Sequence, residues 1–336
     1  MIDDMNKNIS ALKAGVLKSD RRLLAQAITL VESSREDHQK LADQLITSVF
    51  PATGNSIRLG ITGTPGVGKS TFIETTGTAL IEKGHSVAVL TIDPSSSKSG
   101  GSILGDKTRM PKLSTNPKSF IRGTPSRGML GGVSPNTREA ILLCEASGFD
   151  VVIVETVGVG QSEVTVRDMV DMFILLVQPA GGDDLQGIKR GVVEMADLLI
   201  VTKADGPLLE SAHQAQSDYK NALALSRPLY PNWVTPVATC SALLHTNIDQ
   251  ICELIKKYHR TILEDDTINQ RRNEQAVSWL WSDIMATISQ NIRTHPELAD
   301  IFRDLEERVA TRKITARAGS RLILDAFIKK NLTYRR

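Results

Sequence analysis

The chain has 336 residues, 41% of them hydrophobic and 23% charged, which is material for about two domains and a large core. Its 40 Lys+Arg against 38 Asp+Glu leave a formal charge of +2, far from the basic excess of a nucleic-acid reader, so no nucleic-acid partner is expected. Cys144, Cys240 and Cys252 form no C-x-x-C pair, and neither a long apolar run nor a signal-peptide pattern occurs; a cytoplasmic protein with no membrane partner is the expectation.

In chain order, Ile9, Leu12, Val16, Leu23, Leu24, Ala27, Ile28 and Val31 recur mostly three or four apart and predict a helix over 8–31, with a second over about 38–50. After the turn-rich stretch 51–56, short apolar runs at 57–62, 87–92, 151–155, 172–177, 198–202 and 237–239 read as buried strands. Helical stretches near 69–83, 137–147, 187–195, 208–225 and 247–262 lie between them. This alternation predicts an α/β fold, a doubly wound, mostly parallel sheet covered on both faces. Two loops rich in Gly, Ser and Pro, 93–102 and 122–136, are long enough to serve ligands. Beyond 262, Val277, Trp281, Ile284, Met285 and Ile288 open a helical tail that continues near 297–310 and 317–330. The expected organisation is a helical extension over 1–52, a nucleotide-binding domain over 53–262 and a helical arm over 263–336. Trp279 and Trp281 point in different directions and both need cover, so the arm is expected to build a homodimer.

Gly63, Thr64, Pro65, Gly66, Val67, Gly68, Lys69, Ser70 and Thr71 match G-x-x-x-x-G-K-[ST] between a strand and a helix. In such a loop the backbone N–H groups turn inward around phosphates, and the helix dipole adds positive potential. Lys69 supplies a charge to the β and γ oxygens, and Ser70 completes a magnesium shell. A carboxylate is needed beside it, and Glu155, at the end of Val151–Glu155, provides one that can hold Mg2+ through water. Gly158, three residues on, can move its N–H onto the γ-phosphate and act as a switch. Gln161 is a weaker candidate for orienting water.

Thr202-Lys203-Ala204-Asp205 follows the run 198–202. Asp205 can accept from N1–H and the exocyclic amine of guanine, donors that adenine lacks, so GTP and GDP are the expected nucleotides. Ser241, Ala242 and Leu243, after the run 237–239, can add a backbone N–H to guanine O6. The usual base motif is Asn-Lys-x-Asp; Thr202 in place of Asn removes an amide that can bond the base and brace the phosphate loop, so weaker guanine affinity is expected.

With Asp93-Pro-Ser-Ser, Gly105-Asp-Lys-Thr-Arg-Met110 and Gly181-Gly-Asp-Asp-Leu-Gln-Gly-Ile-Lys189, these motifs resemble the MeaB/ArgK family. These are P-loop GTPases of the metallochaperone class that act as chaperones for adenosylcobalamin-dependent acyl-CoA mutases such as methylmalonyl-CoA mutase. The resemblance covers about 55–262 strongly, and the helical ends loosely through Trp279-Leu-Trp281 and Thr294-His-Pro296. It implies a Mg-dependent GTP hydrolase that gates cofactor delivery to, and protection of, such a mutase. It also implies that Asp93 and Asp106 belong to a first mobile loop near the metal, Glu155 to a second, and Asp183 and Lys189 to a third that senses nucleotide. Read from residues alone, 181–191 is more readily a βα loop with an Asp N-cap. Two alternatives share the phosphate motif: a nickel-insertion GTPase, which calls for clustered His or Cys, and an amino-acid-transport kinase, which calls for an acceptor site.

Overall fold

The computed structural model describes residues 2–93, 108–125, 135–156, 163–179 and 190–333. Seven parallel strands form one sheet: β1 Ile57–Gly63, β2 Val87–Asp93, β3 Ser119–Pro125, β4 Val151–Glu155, β5 Met172–Val177, β6 Leu198–Val201 and β7 Val237–Thr239. Their order is β3-β2-β4-β1-β5-β6-β7. Residues of β1, β4, β5 and β6 are buried throughout, which is why their apolar runs are unbroken rather than alternating. The α/β architecture is the one expected. β1 sits between β4 and β5, where the chain's crossovers diverge, and sheets of this kind bind ligands outside the carboxyl ends of their strands at that point.

Three departures have physical reasons. β3 falls partly inside the expected loop 122–136: at the sheet edge it needs apolar residues on one side only, and Phe120-Ile121 is too short a run to announce it. The amino-terminal stretch holds three helices, α1 Ile2–Leu17, α2 Arg21–Val31 and α3 Glu36–Val49, where two are expected. Ser19 takes φ 60, and the Asp20 side chain accepts from the N–H groups of Arg22 and Leu23, so the helix stops and restarts within the apolar periodicity. A short helix α5, Pro111–Thr115, precedes β3.

The remaining helices are α4 Lys69–Glu82, α6 Pro135–Ala146, α7 Glu163–Arg167, α8 Arg190–Glu194, α9 Leu209–Ala224, α10 Ile248–Glu264, α11 Thr267–Thr294, α12 Ala299–Ala310 and α13 Ala316–Thr333. None of the described helices is long and apolar enough to cross a membrane. The chain separates into two compact units, Met1–Arg272 and Asn273–Arg336. Residues 263–272 sit with the first, because Ile268 belongs to its core and two arginines fasten it to the sheet.

Those arginines meet the amino ends of the strands. Arg272 bonds both oxygens of Asp171, at 2.8 and 2.6 Å, and the carbonyl oxygens of Gly54 and Ser56. Arg271 donates to the Asp171 carbonyl oxygen and to the Tyr230 hydroxyl, both at 2.6 Å, and pairs with Asp197 at 3.4 Å. On β1, Arg58 forms a two-pronged pair with Glu145 at 2.7 and 2.9 Å. Burial pushes the Asp171 carboxyl up, but hydrogen bonding and charge from Arg272, helped by Arg58, hold it below the usual carboxylate range. Burial also raises the three thiols, Cys240 to about 12 and Cys252 to about 11, so they behave as small apolar side chains.

Candidate functional site

β1 runs directly into the phosphate loop, and α4 begins at Lys69. Gly63 is required by space: a Cβ there would stand 2.5 Å from the Leu176 carbonyl oxygen of β5. Gly68, the residue before α4, has φ +96, a conformation that strains any side chain. Together they bend the backbone around the amino end of α4, where unpaired N–H groups and the helix dipole favour an anion. Lys69 is only 8% exposed, and its Nζ donates to the Gly63 carbonyl oxygen at 2.8 Å and to that of Thr64 at 3.3 Å. Burial lowers its pKa, Glu155 favours the charged form, and Arg109 opposes it.

Ser70 Oγ donates to Glu155 Oε1 at 3.2 Å, across 85 residues of chain. Glu155 ends β4 with Ile61 of β1 and Thr91 of β2 as register partners, so it stands between the two central neighbours. Asp93 ends β2 two residues beyond Thr91; its side chain lies outside the described part. A hydroxyl and a carboxylate side by side next to a phosphate cradle are hard oxygen donors of the kind Mg2+ takes, with few protein ligands and the rest from phosphate and water. The residues therefore fit the ion. Asp106, Gly158, Gln161, Asp183 and Lys189 lie outside the described residues.

The base-recognition segment follows β6. Thr202 is buried, and its Oγ1 donates to the Val67 carbonyl oxygen at 2.8 Å, with the Val177 carbonyl oxygen at 3.2 Å. The expectation that Thr202 leaves the phosphate loop unbraced is corrected by this contact: the shorter hydroxyl reaches the loop backbone directly. Lys203 takes φ 54, and its Nζ donates to Gln178 Oε1 at 3.2 Å. The Asp205 carboxylate accepts a hydrogen bond from Ser241 Oγ, which itself accepts from the Leu244 N–H at 3.1 Å. The Ser241 N–H donates to the Thr246 carbonyl oxygen at 3.2 Å, so Ser241 serves through its side chain, and amides left for a base come from Ala242 and Leu243. The Ala242 carbonyl oxygen accepts from Thr75 Oγ1 of α4 at 3.1 Å. Phosphate loop, base motif and the 241–243 turn are thus tied by side chains to one another.

Residues outside the motifs complete the arrangement. Gln178, just past β5, meets Lys203; Glu74 of α4 accepts from the N–H groups of Lys112 and Leu113 at 2.6 and 3.2 Å, holding the start of α5 against the phosphate-loop helix. No spacing in the sequence marks either, since each acts across a gap that only folding closes.

The family model for methylmalonyl Co-A mutase-associated GTPase MeaB matches residues 24–297. The chain belongs to the MeaB family. A putative GTPase of Caulobacter vibrioides is 48% identical over 95% of this chain and 98% of its own length. GTPase ArgK of Escherichia coli is 46% identical, covering 92% and 93%. The methylmalonic aciduria type A homolog of mouse mitochondria is 41% identical over 97% of this chain and 81% of that protein. Among solved structures, one described as LAO/AO transport system kinase matches with a TM-score of 0.76 at 37% identity, covering 96% and 98%. As a MeaB-family GTPase the protein binds guanine nucleotide and converts GTP and water to GDP and phosphate.

Proposed function

We propose that this MeaB-family GTPase uses GTP hydrolysis, with Mg2+, to gate cofactor delivery to and protection of an adenosylcobalamin-dependent acyl-CoA mutase. The family match over 24–297, together with 41% identity to a methylmalonic aciduria type A homolog, carries the reading. The geometry of the site supports the following assignment of roles. Lys69 exchanges the Gly63 and Thr64 carbonyl oxygens for the β and γ oxygens of GTP, and a cation already desolvated pays little to leave water. Ser70 and Glu155, side by side, would hold Mg2+, which would supply charge neutralisation to the phosphates. Asp205, steadied by Ser241, accepts from guanine N1–H and its amine, while the amides of Ala242 and Leu243 face O6. Thr202 holds the phosphate-loop backbone at Val67 in place, which serves the positioning of the triphosphate. Asp93, Asp106, Gly158 and Lys189 are assigned to the nucleotide-sensing loops.

The second unit is proposed to form a homodimer. Val277, Trp281, Met285 and Ile288 of α11 are 43–63% exposed and recur at spacings of four, four and three, one apolar stripe along one helix face. The deciding experiment measures phosphate release from GTP with and without purified methylmalonyl-CoA mutase. The reading expects the mutase to change the rate and to co-elute with the protein in a nucleotide-dependent way. Unchanged turnover and no co-elution would refute it. Transfer of the γ-phosphate to a protein acceptor instead of release as phosphate would favour the transport-kinase alternative.

A further inference from the structure

A cavity of about 340 Å³ lies at the sheet edge beside the first half of β3, with Arg21, Arg22, Ala25, Ser114, Phe120, Ile121 and Arg122 in its lining. It brings together three guanidinium groups from α2 and β3. Arg122 donates to Glu32 Oε2 at 2.6 Å and to Thr29 Oγ1 at 3.2 Å, but its buried Nε has no partner. Among the described residues Arg21 donates to the Asn116 carbonyl oxygen, at 2.8 Å, and burial lowers its pKa. The Arg22 side chain makes no ion pair among the described residues. Asp20, next in the chain, is occupied by the backbone N–H groups of Arg22 and Leu23 and does not line the cavity.

The placement of Arg21 and Arg22 is itself unfavourable. They are the first two residues of α2, where the helix dipole favours acids and repels cations. Neither stabilises the helix that carries it, and neither is paired with a carboxylate among the described residues. We infer that this cavity is a binding site for a small phosphate-bearing ligand, separate from the GTP site. Three arginines against Glu32 leave a charge of +2 around the cavity, which matches the charge of about −1.5 to −2 on a phosphate monoester at pH 7 and exceeds that of a single carboxylate. Guanidinium forks fit phosphate oxygens in pairs. The Phe120 ring offers an apolar wall for the rest of the ligand, and the volume falls in the range of small-molecule sites. Ser114 of α5 lines the cavity, and Glu74 holds the first N–H groups of α5 to the phosphate-loop helix, so occupancy is placed to be felt at the GTP site.

The test is titration calorimetry of full-length, GDP-loaded protein with inorganic phosphate, and with acetate as the monoanion. The inference expects saturable phosphate binding that Lys69→Ala retains and that Arg22→Glu and Arg21→Gln/Arg22→Gln weaken by about tenfold or more, roughly the loss of one charged hydrogen bond. Acetate should bind far more weakly. Arg22→Glu puts an acid at the amino end of α2, so without phosphate its melting temperature should equal or exceed the parent's. Phosphate binding unchanged in both arginine variants, lost in Lys69→Ala, or matched by acetate would overturn the inference.

Discussion

The two ends of the sheet treat buried charge in opposite ways. At the amino ends, Arg58, Arg271 and Arg272 are paired with Glu145, Asp197 and Asp171 inside the protein. At the carboxyl ends, Lys69 rests on two backbone carbonyl oxygens and Asp205 on a hydroxyl. These neutral partners hold the side chains in place yet are weaker than ion pairs, so a nucleotide can displace or join them. Burial of a charge is therefore no mark of function by itself; what separates the two ends is whether the partner is an opposite charge or a neutral group.

The contrast is broken most severely by removing one partner of an ion pair. Asp171→Ala leaves Arg272 without its carboxylate and the Arg58 N–H without its acceptor and should cost about 3–5 kcal/mol of stability, while GTP affinity of the folded protein stays at the parent's value; denaturant unfolding and nucleotide titration check the two halves. The same carboxyl sets a pH dependence. Its folded pKa lies below the unfolded one, so its stabilisation is complete above about pH 3.9 and is lost as the pH falls through the folded value. Melting temperature should drop in acid for the parent and less for Asp171→Asn.

At the other end the effect should reverse. Lys69→Ala should weaken GTP binding by about a hundredfold, near 3 kcal/mol, with unfolding free energy unchanged or higher, because the lysine is desolvated and makes no ion pair among the described residues. Equal GTP affinity in the variant would remove Lys69 from the site. A smaller effect tests the brace: Thr202→Val keeps shape but loses the bond to Val67, and should weaken GTP binding by about 1 kcal/mol, read by equilibrium titration.

The two ends were also unequally legible in the chain. Consecutive residues announce the phosphate loop, because one strand, one turn and one helix do the whole task, and Thr202 to Asp205 likewise form a single turn. The ion pairs leave no such trace: Arg58 and Glu145 are separated by 87 residues, and Arg272 and Asp171 by 101. Thr202 read as a loss because its motif position is visible while its partner Val67, 135 residues away, is not. β3 escaped for a different reason: an edge strand with Arg122 and Gly123 in its middle lacks the apolar run that buried strands carry.

The most direct measurement of the nucleotide site is the relative affinity of Asp205→Asn for GTP and xanthosine triphosphate. Exchanging the acceptor for an amide removes the match to guanine N1–H and its amine and supplies a donor for the xanthine O2. If Asp205, held by Ser241, reads the base, the parent prefers GTP and the variant prefers xanthosine triphosphate, with triphosphate contacts through Lys69 intact in both. A variant that keeps the parent's preference for GTP would contradict the account.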